Sequence, residues 1–243
     1  MNSKPCSFFL FSLILSSCTH LDSVKAPSQV KIDVSLSQDF LKTACKAKSP
    51  KEFATRWLEH EERHPNFYIP IYYSDPDSLA NRHRLADELS TKQTEVCATL
   101  THSSEQAPKE IEKSASAIEN LLGAEPRATV FIASALQWTD GRADTLYGKP
   151  IIALNGRHPT FSREKGLRAT IFHELFHDAQ ATLHGKEIVS LPGIEQSLYT
   201  EGAATYAVET EFSDVGEGAL GLKPPRLALA RELTPKVAAE ILT

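Results

Sequence analysis

Apolar and polar positions alternate differently in the two halves of this chain, and the change falls near Gly123. All eleven glycines lie at or after that residue. Before it, apolar residues recur three and four apart, the period of helices buried along one face. One helix is predicted over about 37–47. The next begins sharply: Ser49 stands at the N-cap, Pro50 at the first helical position and Glu52 where a capping-box glutamate belongs. It continues through Phe53, Trp57 and Leu58 to about His64, and "EHEER" (59–63) reads as a solvated helix face. "NFYIPIYYSDPD" (66–77) reads as an aromatic connection broken by proline, with the Phe67–Tyr73 aromatics used for packing. Longer helices are predicted over about 76–101 and 108–122, the second stopped by Gly123.

After Gly123 the period shortens. "RATVFIA" (127–133) and "KPIIALN" (149–155) are short β-branched runs and read as strands, with "DGRADTLYG" (140–148) a turn-rich excursion between them. Ser162 opens a helix that contains "HELFHDAQ" (173–180), and Gly185 ends it. "VSLPGIEQS" (189–197) reads as a loop, and a further helix covers about 196–212. "SDVGEGALGLKPP" (213–225) is irregular, and Thr234–Pro235 start a last short helix. The order is helices, a small sheet, then helices again. This predicts an α+β fold, mainly helical, with the small sheet packed on the "HELFH" helix and on the helix after it.

The first residues stand apart from the fold. "MNSKPCSFFLFSLILSSC" has one basic residue, Lys4, and an apolar run from Phe8 to Leu15 that is too short to span a bilayer. Leu15-Ser16-Ser17-Cys18 resembles the lipobox of bacterial lipoproteins. The resemblance implies a signal peptide over 1–17, a lipid on Cys18 and anchoring in the bacterial envelope. Thr19 in the next position points to the outer membrane, facing the periplasm. Residues 18–35 read as a tether. The formal charge is −5 and no basic patch is present, so nucleic acid is not an expected partner. With Cys6 removed and Cys18 lipidated, Cys45 and Cys97 remain, and an oxidising compartment predicts a disulfide between them.

The candidate chemistry lies in "HELFH". His173 and His177 are four apart on one helical face, where two imidazoles can reach one ion at about 2.0–2.1 Å. Glu174 is offset by one residue and can reach a water beside that ion without being a ligand, the position of a general base. Ile171, Phe172, Leu175, Phe176, Ala179 and Leu183 surround the helix with apolar groups. Polar groups in such a setting need partners, and a metal supplies them. A third ligand is required. The HExxHxxGxxH pattern fails, because Gln180 and Leu183 occupy its glycine and third-histidine positions and His184 is one residue out of step. In "SLYTEGAATYAVETEF", Glu201 shares a face with Leu198, Thr205, Val208 and Phe212 and is the ionisable group on an inward face, with Gly202 allowing close helix approach. Glu195, Glu209, Glu211 and His184 remain as other candidates.

"HELFH" followed by "EGAATY" resembles the gluzincin-type zinc metallopeptidases, the thermolysin-like superfamily, over about residues 127–212. The resemblance implies a zincin-like fold, Zn2+ on His173, His177 and Glu201, and Glu174 as base and proton shuttle. It also implies a strand that aligns the peptide, for which "PIIALN" is the candidate. Where thermolysin carries an aspartate four residues after the ligand glutamate, this chain has Thr205, so Asp178 or Glu209 would have to support a ligand histidine. Tyr199, Tyr206, His184 and His158 are candidates for stabilising an oxyanion. The other histidines, His20, His60, His64, His83 and His102, read as surface residues.

The expected organisation is a signal peptide (1–17), a tether (18–35), a helical N-terminal region (36–123) and a metallopeptidase region (124–243). The expected function is hydrolysis of protein or peptide substrates by a zinc-activated water. Two alternatives are a non-catalytic lipoprotein of this fold that binds or assembles partners, and a zinc amidase acting on cell-wall crosslinks.

Overall fold

A computed structural model describes residues 29–184 and 193–212. Cys18 and the lipobox, Gly185, the segment 213–225, the helix expected at Thr234, and the side chains of His184 and Glu195 lie outside the described residues. The architecture is α+β, mainly helical with a small mixed sheet. Four strands, β1 (Lys31–Asp33), β2 (Thr129–Ala133), β3 (Gly141–Leu146) and β4 (Lys149–Asn155), pair in the order β1-β2-β4-β3. β1, β2 and β4 run parallel, and β3 pairs antiparallel with β4. β1 falls inside the stretch expected to be tether. Lys31 to Asp33 pair with Thr129 to Phe131, so the folded part of the chain begins earlier than its hydrophobic pattern suggests.

The sheet is covered on both faces, which explains the unbroken apolar run of β4. On one face, Val130, Ile132, Ile152 and Leu154 join a core supplied by helices from both ends of the chain. These are α1 (Ser35–Thr43), α2 (Pro50–Arg63), α5 (Arg82–Ser90), α6 (Gln93–Leu122), α7 (Glu164–His184) and α8 (Gly193–Glu211), with short α4 (Pro76–Ala80) leading into α5. Phe40, Phe53 and Trp57 from the first half and Phe172, Leu175 and Val208 from the second lie in this one cluster. The helical half is therefore a wall of the same core rather than a separate unit. On the opposite face, Phe131, Ile151 and Ala153 pack on Phe67, Tyr68, Ile71 and Tyr72 of α3 (Pro65–Tyr72).

Three local differences from the sequence expectation have physical causes. The aromatic segment is helical despite Pro70, which removes a donor to Asn66 O; Tyr147 of the β3–β4 turn donates its hydroxyl to that carbonyl at 3.4 Å. α6 runs through Pro108, because its buried positions Val96, Leu100, Ser103, Ala107, Ile111, Ser114 and Ile118 keep helical phase across the proline and pack along α7. That burial outweighs a proline cost of about 3 kcal/mol. The break falls earlier, where the Ser90 and Thr91 hydroxyls bond back to Asp87 O and Glu88 O.

Capping follows the sequence closely. The Ser49 hydroxyl accepts from Glu52 N at 3.3 Å, and the Glu52 carboxylate accepts from Lys48 N at 2.6 Å. Gly123 closes α6 in the left-handed region, at φ 68°. Cys45 and Cys97 are bonded, joining the turn after α1 to the start of α6.

Candidate metal centre

The stretch expected to be a turn-rich excursion is a hairpin arm, and this sets the site. Tyr147 and Gly148 both have positive φ, 52° and 74°, the form of two-residue turn that suits the twist of paired strands. The turn folds β3 back on β4, with Leu146 opposite Lys149. β3 thus becomes the outer edge of the sheet and lies along α7. β4, the candidate for peptide alignment, is interior and hydrogen-bonded on both sides, so no peptide can pair with it. The register leaves the N–H and C=O groups of Gly141, Ala143 and Thr145 on the outer edge.

His173 and His177 stand one turn apart on α7 with their rings perpendicular, and their Nε2 atoms are 3.0 Å apart. Glu201 of α8 completes the group: Oε2 is 3.1 Å from His173 Nε2, and Oε1 is 3.5 Å from His177 Nε2. Tetrahedral coordination with bonds of about 2.0–2.1 Å spaces neighbouring donors about 3.3–3.4 Å apart. The two imidazole nitrogens and the two carboxylate oxygens that face them lie at separations close to that spacing, and two imidazoles with one carboxylate form a donor set suited to zinc. The group opens into a cleft of ≈ 510 Å³ between β3 and α7, with Glu201 on its far lip.

Glu174 faces the same cleft and is buried. Burial, reinforced by the nearby carboxylates of Asp140 and Glu201, pushes its carboxyl up to about 8, against the opposing pull of the Ala143 N–H and the Arg142 guanidinium. Three carboxylates thus crowd together here, a setting that a divalent cation between the imidazoles would balance. Gly141 is what lets β3 lie this close. A Cβ there would fall 2.8 Å from Glu174 Cγ and 2.9 Å from Glu174 Oε1.

Several expected contributors are placed differently. Glu201 does not sit on a buried face; its side chain is 63 % exposed, because α8 turns Ala204, Ala207 and Val208 to the core and Glu201 to the cleft. Gly202 faces open space and permits no close helix contact. Asp178 accepts hydrogen bonds from Arg127 N and Ala128 N, which ties α7 to the start of β2 and leaves that oxygen unavailable to a ligand histidine. Tyr199, Tyr206, His158, Glu209 and Glu211 do not line the cleft. His158 packs between Trp138 and Phe161 and caps a 3-10 turn.

Sequence reasoning missed two features. The first is Gln180, which entered only as a mismatch to the HExxHxxGxxH pattern. Its Nε2 donates to Tyr199 O at 3.2 Å, so it ties α7 to α8, and its carboxamide favours the protonated form of the neighbouring His177 ring. Its position three residues after His177, on the same helix face, was the available signal. The second is a repeat of the five-residue pattern. His60-Glu61-Glu62-Arg63-His64 in α2 also reads HExxH. Its face is only partly solvated: Glu59, Glu62 and Arg63 are exposed, whereas His60 and Glu61 are buried. Glu61 accepts from the Tyr73 hydroxyl at 2.7 Å and from Leu136 N at 3.2 Å, so it is buried and committed to an internal network.

No protein-family model, curated protein or solved structure matches the chain. What defines the class of this protein is the arrangement itself: an α+β fold with a two-histidine, one-glutamate cluster and a buried second glutamate beneath an unpaired strand edge.

Proposed function

We propose that this protein is a zincin-like, lipid-anchored zinc metallopeptidase acting in the bacterial envelope. The observation that carries the reading is the convergence of His173, His177 and Glu201 on one point, with Glu174 turned into the same cleft beside the free edge of β3. A zinc ion held by the three residues would supply Lewis acidity toward a carbonyl and toward water. Glu174 then takes the proton from the attacking water and passes it to the leaving amine. The Ala143 N–H favours the ionised Glu174 carboxyl, and Gln180 ties the histidine helix α7 to α8. An extended peptide adds to the outer edge of β3 and donates its own N–H groups to the Ala143 and Thr145 carbonyls. Two of the edge donors are already engaged, Gly141 N by Asp140 Oδ1 at 3.0 Å and Thr145 N by Asp144 Oδ1 at 2.7 Å, and the Ala143 N–H acts on the Glu174 carboxyl.

The test is metal analysis of the purified protein together with a peptidase assay on an unfolded protein substrate. About one zinc per cleft is expected, with activity lost on chelation and restored by Zn2+. Zinc-free protein without hydrolytic activity after Zn2+ addition would sink the reading.

Gly141→Ala probes how closely β3 must approach. The added methyl has no room beside Glu174 and Thr170, so the base must shift. Displacements of about 1 Å can cost about 100-fold in rate. A fall of about 10–100-fold in kcat is expected, with zinc content unchanged. Full activity in this variant would show that Glu174 placement does not depend on the strand.

The anchor is assigned to Cys18. Among the described residues, no helix is long and apolar enough to cross a membrane. Cys18→Ala is expected to move the protein from the membrane fraction to the soluble one. Retention in the membrane fraction, with no other attachment found, would remove the lipoprotein assignment.

A further inference from the structure

We propose that Asp39, His60 and His64, at the seam between α1 and the end of α2, form a second site for a divalent transition-metal ion of the zinc type, separate from the cleft and without hydrolytic activity. One donor atom from each of the three lies within 4.8 Å of the others. His60 Nδ1 is 2.8 Å from Asp39 Oδ2, and His64 Nε2 is 3.5 Å from the same oxygen. His64 Nε2 is buried and makes no hydrogen bond among the described residues. A buried ring nitrogen without a hydrogen bond is costly, and an ion at this point would satisfy it. Placing the ion needs the donors to move toward the spacing of about 3.3–3.4 Å on a tetrahedral zinc: the 2.8 Å contact must open by about 0.5 Å, and the two histidine donors, which lie within 4.8 Å of each other, must come to the same spacing.

The surroundings favour that role. The His60 ring is fully buried against the edge of Phe40, and its Nε2 lies 2.9 Å from the Tyr68 hydroxyl. A tyrosine hydroxyl can donate or accept, so it can take the Nε2–H and leave the Nδ1 lone pair for an ion. Asp39 and His64 are only partly covered, which leaves a path from solvent. The site sits at the C-terminal end of α2, where the helix carbonyls favour a cation. Two imidazoles and one carboxylate select borderline ions such as Zn2+, Ni2+ or Co2+ over Mg2+ or Ca2+. Hydrolysis is not expected, because Glu61, the residue in the base position of this second HExxH, is buried and already hydrogen-bonded by Tyr73 and Leu136.

One group competes. Arg63 Nη2 donates to Asp39 Oδ2 at 2.8 Å. Its side chain is 45 % exposed, so it can swing into solvent when an ion enters. Removing it should therefore strengthen binding rather than weaken it, a result that loose surface histidines would not give.

The test titrates the purified, chelator-stripped full chain with Zn2+, and with Co2+ as a coloured probe. His177→Ala is expected to retain one equivalent of ion, held at Asp39, His60 and His64. His64→Ala in that background is expected to bind none. Asp39→Asn, nearly the same shape, should reproduce the loss, so the result does not depend on one variant folding. Arg63→Ala should tighten the remaining site by up to about fivefold, the scale of an exposed ion pair. The proposal is overturned if His177→Ala binds no ion, or if neither His64→Ala nor Asp39→Asn changes the stoichiometry. Failure of the cleft to bind zinc would leave a different pattern: one equivalent in the parent, lost with His64 and kept without His177.

Discussion

Replacing Glu174 by Gln is expected to lower peptide hydrolysis by about 10²–10⁴-fold, the usual contribution of a positioned acid–base group. Zinc content should stay at the parental level. Glu174 does not belong to the donor triangle of His173, His177 and Glu201, so its replacement removes no ligand. Glutamine keeps the shape and one acceptor oxygen for the Ala143 N–H, so the cleft wall should stay in place. It cannot take a proton from water at neutral pH. Circular dichroism and metal content are the controls, and the rate is the readout. A variant that keeps its zinc and its full rate would show that Glu174 is not the base.

Replacing Glu201 by Ala is expected to fail differently. Here a ligand is lost, the one that reaches both imidazole Nε2 atoms from α8. Losing a mere hydrogen-bond partner of a ligand typically weakens metal binding about 10–100-fold, and losing a ligand should exceed that. Activity should fall with zinc occupancy and recover in part at high Zn2+, which the Glu174→Gln variant should not do. The fold should tolerate the change, because Glu201 is exposed and the packing of α8 rests on Ala204, Ala207 and Val208. If Glu201→Ala keeps full zinc while Glu195→Ala, Glu209→Ala or His184→Ala loses it, the third ligand is misassigned and the peptidase reading can still stand.

Both experiments rest on residues legible in the sequence alone. The i, i+4 spacing of His173 and His177 places both rings on one helix face wherever that helix lies, and Glu174 follows from the same geometry. Glu201 is reached from the sequence for an imperfect reason. Its pattern assigns it to a buried face, whereas its carboxylate is exposed and reaches the histidines across the cleft. The error comes from treating every ionisable group on an amphipathic face as inward. A helix beside a cleft has a third kind of face, open to solvent yet aimed at another element.

The second HExxH marks the limit of a motif. His60–His64 and His173–His177 are alike in residue type and spacing. What separates them is the environment of the middle glutamate. Glu61 points into a closed network with Tyr73 and Leu136, and Glu174 points into an open cleft beside a strand edge. No local pattern encodes which of the two opens to solvent.

By itself, the sequence determined what depends on neighbours within a few residues. The capped start of α2 at Ser49 and Pro50, the stop of α6 at Gly123, the apolar runs of β2 and β4 and the paired imidazoles of α7 all follow from local sterics and periodicity. Tertiary structure decided the rest. It carried α6 through Pro108, because packing along α7 outweighs one lost hydrogen bond and a ring clash. It made "GRADTL" the edge strand of the cleft and put "PIIALN" in the interior, because strand order depends on which runs meet across the chain. It brought Glu201 to the histidines, since the crossing of α7 and α8 is set by side chains far apart in sequence packing into one core.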